Sequence, residues 1–471
     1  MFIHTLGEVA TATGGKLLFG DPNGHVHGVL TDTRAPLAGS LFLALTGERY
    51  DGHNFAAEAL CSGAAAVLVS RANAVQVGDL RASQGVVLVS DTRAAYLRLA
   101  ELHRDTHDDV LWCAVTGSAG KSTVKDMLAH VLSATTGWEV HRAKKSFNNA
   151  VGVSATMLGV DRSHQAAVLE IGMNHAGEIA LLASAARPNL AVITNAGPVH
   201  LEALGSVASV AEEKSHLLDR QNGNDIAVLN ADDVFFEFWK RKTHGTVITF
   251  GLSEHADVRG LEIEQRPSLG ARFYLSVADQ AAEVQLLVPG RHNVLNALAA
   301  AAAAWSAGLS FAEITIGLES FSGTGRRFQV IEADGVSVID DAYNANPLSF
   351  RAALETLKDF AGRRWFVVAG DMLELGAGTE EYHRELGRNF AAAAPHALLT
   401  IGPLSALAGK TAVAEGLPNS AWTHCATPEE AAERLKPRLT SGDVVLVKGS
   451  HALQLGRCVE RLTQRTIAKS A

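Results

Sequence analysis

Leu111-Trp112-Cys113-Ala114-Val115-Thr116-Gly117-Ser118-Ala119-Gly120-Lys121-Ser122-Thr123 is the stretch that decides the fold. Leu111 to Val115 is an apolar run of buried-strand type. Beyond the Gly-containing loop, Val124, Met127, Leu128, Val131 and Leu132 recur at helical spacing. Strand, glycine loop and helix in that order make an anion site. Glycines let backbone N–H groups crowd round a phosphate, the helix N-terminus adds positive potential, and Lys121 adds a full charge. Gly117, Ser118, Ala119, Gly120, Lys121, Ser122 and Thr123 are therefore the candidate phosphate cradle, with the Ser122 hydroxyl where such loops bind Mg²⁺. The position five before Gly120 is Val115, so the loop has the short GxxGK[ST] form and not the longer one of most P-loop GTPases, kinases and motors.

Around this loop, residues 89–320 alternate strand, turn and helix. Ala166 to Ile171, Leu190 to Thr194, Ile226 to Leu229 and Val247 to Phe250 are strand candidates with helical segments between most of them. That alternation predicts a parallel sheet with right-handed crossovers. Residues 257–289 break the rhythm and read as an antiparallel insertion. Residues 1–88, with short apolar runs and Gly-rich turns, read as a small α/β domain. Residues 321–471 restart the pattern at Val336 to Ile339, Trp365 to Ala369, Ala397 to Ile401 and Val444 to Val447, predicting a second doubly wound, Rossmann-like domain. The fold class is α/β in three domains, the number expected of 471 residues at roughly 150 per domain.

Composition narrows the function. A hydrophobic fraction of 47% and a charged fraction of 19% give ample core and exclude disorder. The net charge of −9 argues against a nucleic-acid binder held by bulk charge. Cys61, Cys113, Cys425 and Cys458 lie far apart, with no zinc or redox spacing, and read as isolated thiols. No signal-peptide pattern opens the chain. The most apolar window, Val294 to Leu309, is too short and polar for a span of roughly 20 residues. A cytoplasmic, monomeric protein is expected.

Polar residues gather where strands end. Glu170 closes an apolar strand and is placed to hold Mg²⁺ near a phosphate loop, or to stand as a solvated carboxylate. His200 follows another strand and by itself reads as structural. Lys214, in a helical stretch beside Glu212 and Glu213, by itself reads as a salt-bridged surface lysine. Asn293 and Asn296 share a face at the start of the alanine-rich helix, and Asn296 has the amide donor and acceptor that a purine edge requires. Asp340-Asp341-Ala342-Tyr343-Asn344-Ala345-Asn346-Pro347 sits between a strand and a helix, where open α/β sheets bind ligands.

Taken in order, these motifs resemble the Mur ligase family of ATP-dependent amino-acid- and peptide-adding enzymes. The resemblance covers nearly the whole chain. It rests on TDTR at 31–34, the 39–55 segment ending DGHNF, the short loop, Asn148-Asn149, EIGMNHAGEI at 170–179, Asn195 to Glu202, Lys214 and LNADD at 229–233. It continues through GRHNVLNA at 290–297, GRRF at 325–328, DDAYNANP at 340–347, GDMLELG at 370–376 and VKGS at 447–450. DDAYNANP and GDMLELG, with no DNPR-like motif, are similar to the branch that adds a D-alanyl-D-alanine dipeptide, not to those adding L-Ala, D-Glu or the third residue. A third-residue or folylpolyglutamate-type ligase, or a P-loop switch, is the alternative.

The resemblance implies that ATP activates the C-terminal carboxylate of a UDP-N-acetylmuramoyl-tripeptide as an acyl phosphate, which the amine of D-alanyl-D-alanine then attacks. It assigns Lys121 to the phosphates, and Ser122 and Glu170 to one Mg²⁺. A second Mg²⁺ falls to His200 and a carbamylated Lys214. Asn149 and Asn296 go to the nucleotide, with Asn296 on adenine, Asp341 on ribose and Arg326 on phosphate; the tandem Arg326-Arg327 leaves that last place ambiguous by one residue. Thr31, Asp32, Arg34, Asp51, Gly52 and His53 would bind the UDP end, and Tyr343, Asn344, Asn346 and Lys448 the remaining substrate. Two departures stand out: Ala119 where the loop often has Asn, and His451 where Arg commonly follows KGS.

Overall fold

The strand Leu111–Thr116 lies inside a nine-stranded sheet, between Leu190–Ile193 and Ala166–Glu170, parallel to both. The chain first builds outward on one side, through Val140–Arg142, returns to Ala166–Glu170, and then crosses to Leu190–Ile193, Ile226–Asn230 and Thr246–Gly251 on the other. Successive crossovers leaving in opposite directions open a crevice at the carboxyl end of Leu111–Thr116, which is where the phosphate loop emerges. Val258–Arg266, Gly270–Val277 and Gln280–Leu286 extend the sheet as an antiparallel meander, as the 257–289 pattern predicts. The computed structural model describes residues 2–464 apart from 48, 77, 79, 267, 268 and 361. Glu48 of the 39–55 motif, two residues of the 257–289 insertion and the 465–471 end of the third segment thus lie outside the described residues.

Both faces of this sheet are covered, which explains why its strands are apolar runs and not alternating ones. One face packs the helices Lys121–Ala134 and Arg291–Ser306, the other the helices Ala150–Leu158, Glu178–Ala186 and Val207–Ser215. Arg291–Ser306 carries most of the apolar window Val294 to Leu309. Ala297 to Ala304 are buried on all sides, as expected of a helix apolar all round in a soluble core. Among the described residues no helix is long and apolar enough to cross a membrane.

The third sheet has six strands in the order Gln329–Ala333, Val336–Asp341, Val444–Lys448, Trp365–Gly370, Ala397–Ile401 and Trp422–Cys425, all parallel except the first pair. Register pairs Asp341 with Lys448 at one carboxyl edge. The first domain carries a five-stranded sheet of Lys16–Phe19, Gly85–Leu88, Ala66–Val69, Leu41–Leu43 and Val29–Leu30, and the small ladder of Ile3–Thr5 with His25–His27. The sequence reading passes over Lys16–Phe19, Val140–Arg142, Gln329–Ala333 and Trp422–Cys425. These are edge strands, partly exposed, with little apolar pattern to mark them.

Helix Thr92–Arg104 joins the first two domains, giving Ala95, Tyr96 and Leu99 to the first core and Leu97 and Ala100 to the second. At its end His103 is fully buried and its Nε2–H donates to Val160 O at 2.7 Å. Nδ1 has no partner among the described residues, and burial lowers the ring's pKa to about 4. The unfolded chain therefore takes up this proton near pH 6.5 and the folded chain only near 4, so stability falls as pH drops through that window. The loss is on the order of 3 kcal/mol when complete. His103→Gln, which can keep an amide donor without titrating, is expected to shift the acid-unfolding midpoint to lower pH, read by circular dichroism. An unchanged midpoint would remove His103 from the acid response.

Candidate active site

The crevice at the end of Leu111–Thr116 holds a cavity of about 790 Å³, walled by the central and third domains. Its floor is the phosphate loop. Gly117 and Gly120 have φ of 152° and 85°, and each is packed too closely for a side chain. A Cβ on Gly117 would fall 1.8 Å from Thr194 Oγ1, and one on Gly120 would fall 2.3 Å from Asn296 Oδ1. Neighbouring strand ends sew the loop in place. Thr194 Oγ1 donates to Ala119 O at 2.6 Å, Ala119 N–H donates to Asn195 Oδ1 at 2.9 Å, and Ser118 exchanges hydrogen bonds with Gly197. The backbone of Ala119 is thus held by the Asn195 amide, in a loop that often has its own Asn at this position.

Lys121 sits at the first turn of Lys121–Ala134, with its ammonium donating to Gly117 O at 2.7 Å. Burial lowers its pKa, Glu170 opposes that shift, and the Arg327 guanidinium adds to it. This is a cation set into a cradle of backbone donors without a full counter-charge. Ser122 lies behind the cavity surface and donates to Glu170 Oε2 at 2.6 Å, while Asn148 Nδ2 donates to Oε1 at 2.9 Å. Glu170 is 1% exposed, which removes the solvated-carboxylate reading. Asn149 also lines the cavity, but its side chain caps Ala150–Leu158 by accepting from Gly152 N–H.

His200 and Lys214 line the same cavity. Lys214 is no surface lysine. It is 2% exposed, and both acidic neighbours are committed elsewhere. Glu213 accepts from Gly177 and Ile179 N–H, and Glu212 pairs with Lys242. Burial, then repulsion from Lys121, holds the Lys214 pKa well below 10.5 against the pull of Glu213. Asn296 faces the loop, with one amide hydrogen given to Asn293 Oδ1, and Asn293 bonds in turn to Pro289 O.

From the third domain come Asp341, Tyr343, Asn344, Asn346, Lys448 and His451. Lys448, 1% exposed, donates to Asp341 Oδ2 at 2.6 Å and Asn344 O at 3.2 Å. Asn346 caps Pro347–Lys358 and reaches across to Ser118 O at 3.3 Å. The His451 ring lies 5.5 Å from that of Tyr343. The tandem arginines divide. Arg326 turns away to Glu460 at 3.1 Å and does not line the cavity. Arg327 does line it, stacked 4.1 Å over Tyr343 and donating to Ser146 Oγ at 2.9 Å. The sequence preference for Arg326 is thus the residue that the geometry turns outward.

The first-domain candidates form a separate group. Asp32 and Arg34 pair with each other on the surface, which brings the Asp32 carboxyl down to about 2. Asp51 accepts from both the ring Nδ1–H and the backbone N–H of buried His53, and pairs with Arg71 at 2.7 Å. His53 Nε2 accepts from Ser70 N–H, and a Cβ on Gly52 would lie 2.8 Å from the Leu45 backbone. None of Thr31, Asp32, Arg34, Asp51, Gly52 or His53 lines the cavity.

Sequence reasoning missed three residues here. Lys125, one helical turn after Lys121, is buried and donates to Ala143 O and Lys145 O, holding the segment that carries Ser146 and Asn148. Its spacing on the core face was the available signal. Ser146 lies between Ser122 Oγ (3.1 Å) and Arg327. Glu374, within GDMLELG, meets His200 across the domain boundary at 2.6 Å.

Among the described residues no three His, Cys, Asp or Glu groups converge as a ready-made metal cage. Mg²⁺ does not require one, since it is commonly held by one or two carboxylates and substrate phosphates. Ser122 with Glu170 beside a backbone phosphate cradle is such an oxygen donor set.

A short phosphate loop on a parallel sheet, faced across one cavity by a second α/β domain, defines a P-loop protein of three domains. Three domain families match in order: Mur ligase family, catalytic domain, at residues 25–104; Mur ligase middle domain at 115–304; and Mur ligase, glutamate ligase domain, at 326–451. The chain belongs to the Mur ligase family. It is 36% identical over 471 aligned positions to UDP-N-acetylmuramoyl-tripeptide–D-alanyl-D-alanine ligase of Escherichia coli strain K12, covering 98% of this chain and 99% of that one. In structure it is similar to MurF from Acinetobacter baumannii, with a TM-score of 0.87, 30% identity, and coverage of 98% and 99%. It is also similar to MurF ligase from Thermotoga maritima in complex with ADP, with a TM-score of 0.82, 27% identity, and coverage of 93% and 97%.

Proposed function

We propose that this chain is the ATP-dependent ligase that joins D-alanyl-D-alanine to UDP-N-acetylmuramoyl-tripeptide, giving the pentapeptide precursor of peptidoglycan. The observation that carries the reaction class is the opposition, across one cavity, of the Lys121 phosphate loop and the Asp341–Lys448 edge of the third domain. The near-full-length likeness to a ligase of that name supports the substrates. A cytoplasmic location fits those substrates.

A carboxylate and an amine do not condense in water, so the γ-phosphate of ATP supplies the leaving group. A carboxylate oxygen attacks the γ-phosphorus and ADP departs. The amine nitrogen then attacks the acyl carbon, the tetrahedral intermediate expels phosphate, and nitrogen loses a proton. The enzyme must hold two anions together, which demands preorganised positive charge and positioning. Lys121 and the loop N–H groups meet the phosphates. Arg327 is the arginine that faces them, while Asp341 and Lys448 position the nucleotide and incoming dipeptide from the opposite wall. Ser122, Glu170, His200 and Lys214 would hold Mg²⁺, which screens the phosphate charge and polarises the reacting oxygens. Carbamylation of Lys214 would turn a cation into a metal-binding anion. The UDP end is held in the first domain, by the 31–34 and 51–53 segments, leaving the tripeptide carboxylate to reach the cavity. Closure of the third domain onto the central one excludes water from the acyl phosphate.

Purified protein with Mg-ATP, offered the UDP-muramoyl tripeptide and D-alanyl-D-alanine singly and together, tests this reading. Phosphate release only with both, and a product with the pentapeptide mass, is expected. Release without the dipeptide, or with a free amino acid in its place, would reject the assignment. In the same assay Arg327→Ala is expected to lower kcat by about 10²-fold, the scale of losing one preorganised donor to a transferring phosphoryl group. Arg326→Ala should lose far less. The reverse order would return the phosphate role to Arg326.

A further inference from the structure

We propose that Glu374 is a positioning residue: a carboxylate of the third domain that fixes the ring of His200 in the central domain. His200 Nδ1 lies 2.6 Å from Glu374 Oε2, and both residues line the cavity. A carboxylate only accepts, so this contact keeps the proton on Nδ1 and leaves the Nε2 lone pair available. A histidine that binds a metal through one nitrogen is oriented in this way by a carboxylate on the other. The inference rests on the ligase reading, which gives His200 its metal-holding role.

The contact is built and not incidental. His200 has φ of 51° and Glu374 of 65°, left-handed conformations that side-chain-bearing residues rarely adopt, and they face each other across the domain boundary. The main chain joins the same contact, since Glu202 N–H donates to Glu374 O at 3.3 Å. Two residues on, Gly376 lies against the Glu202 backbone, where a Cβ would come within 3.0 Å of its N and Cα. Glu374 to Gly376 therefore docks as a unit on the start of Leu201–Leu204. His200 acquires its orienting partner only when the two domains meet, so domain closure and completion of the metal-holding set become one event.

The test uses full-length protein labelled with ¹⁵N-histidine, with His200 assigned by its loss in His200→Asn. Two-bond ¹H–¹⁵N spectra of the ligand-free protein report which ring nitrogen carries the proton. The wild type should show the Nδ1–H form. Glu374→Ala should move His200 towards Nε2–H, while Glu374→Gln, which still offers an accepting oxygen, should keep Nδ1–H. Mn²⁺ binding with a non-hydrolysable ATP analogue, followed by electron paramagnetic resonance, should weaken about 10–100-fold in Glu374→Ala and much less in Glu374→Gln. An unchanged tautomer in Glu374→Ala, or equal damage from Gln and Ala, would overturn the proposal. An unchanged tautomer in a protein that ligates sinks only this inference. A protein that shows the tautomer shift but ligates nothing sinks only the ligase reading.

Discussion

Lys121→Met is expected to leave a folded protein whose ATP-dependent turnover falls by about 10³-fold. The ammonium stands in the phosphate cradle, already desolvated, with its pKa lowered by burial and by the neighbouring Arg327. A charge held in a water-excluded site acts on developing phosphate charge more strongly than one in bulk water and does not have to reorganise during the reaction. Methionine keeps the length of the chain without the charge, and burying it carries none of the desolvation cost of an ammonium. Circular dichroism should therefore match wild type while phosphate release falls to the low residual level. Near-normal turnover in the folded variant would overturn the phosphate-loop assignment.

Lys214→Met is expected to act in opposite directions on activity and stability. Turnover should fall by about 100-fold or more, as when a metal-holding group or its immediate support is lost. Stability should rise. Lys214 accepts burial beside Lys121 with its two acidic neighbours occupied elsewhere, and its folded pKa is held well below 10.5. The unfolded chain binds that proton at a higher pH than the folded chain does. Stability therefore declines as pH falls from 10.5 through the folded pKa, and the full penalty is present below it. Removing the amine removes the penalty, raising the unfolding temperature of the ligand-free central domain by about 2–4 °C for each kcal/mol relieved. Calorimetry and the phosphate assay together read both effects. A variant that is both inactive and less stable would mean that Lys214 serves the fold. Stripping CO₂ from the wild type should lower turnover if Lys214 works as a carbamate, and no change would remove that part of the assignment.

The parts of this site that lie within one local motif were legible in the sequence. The phosphate loop is contiguous because its chemistry is local: backbone donors, a helix N-terminus and one lysine fit within eight residues. Buried strands announce themselves as apolar runs, so the inner strands of the nine- and six-stranded sheets could be placed, whereas the half-exposed edges Val140–Arg142 and Trp422–Cys425 could not. Asp341 and Lys448 were named separately, but their pairing depends on a strand register that brings together residues 107 positions apart.

The α/β class, the phosphate loop and the resemblance to one ligase family follow from the chain's residues without coordinates, because each is written in local spacing or in ordered motifs. Tertiary structure alone decided which arginine of the Arg326-Arg327 pair faces the cavity, since adjacent residues point different ways and only the neighbouring domain distinguishes them. It alone turned Lys214 from a surface lysine into a buried amine, by engaging Glu212 and Glu213 with groups from other elements. It alone joined Glu374 to His200, 174 positions apart, because that contact exists only where two domains meet. Electrostatic environment is a property of what surrounds a side chain, and those surroundings are assembled by folding.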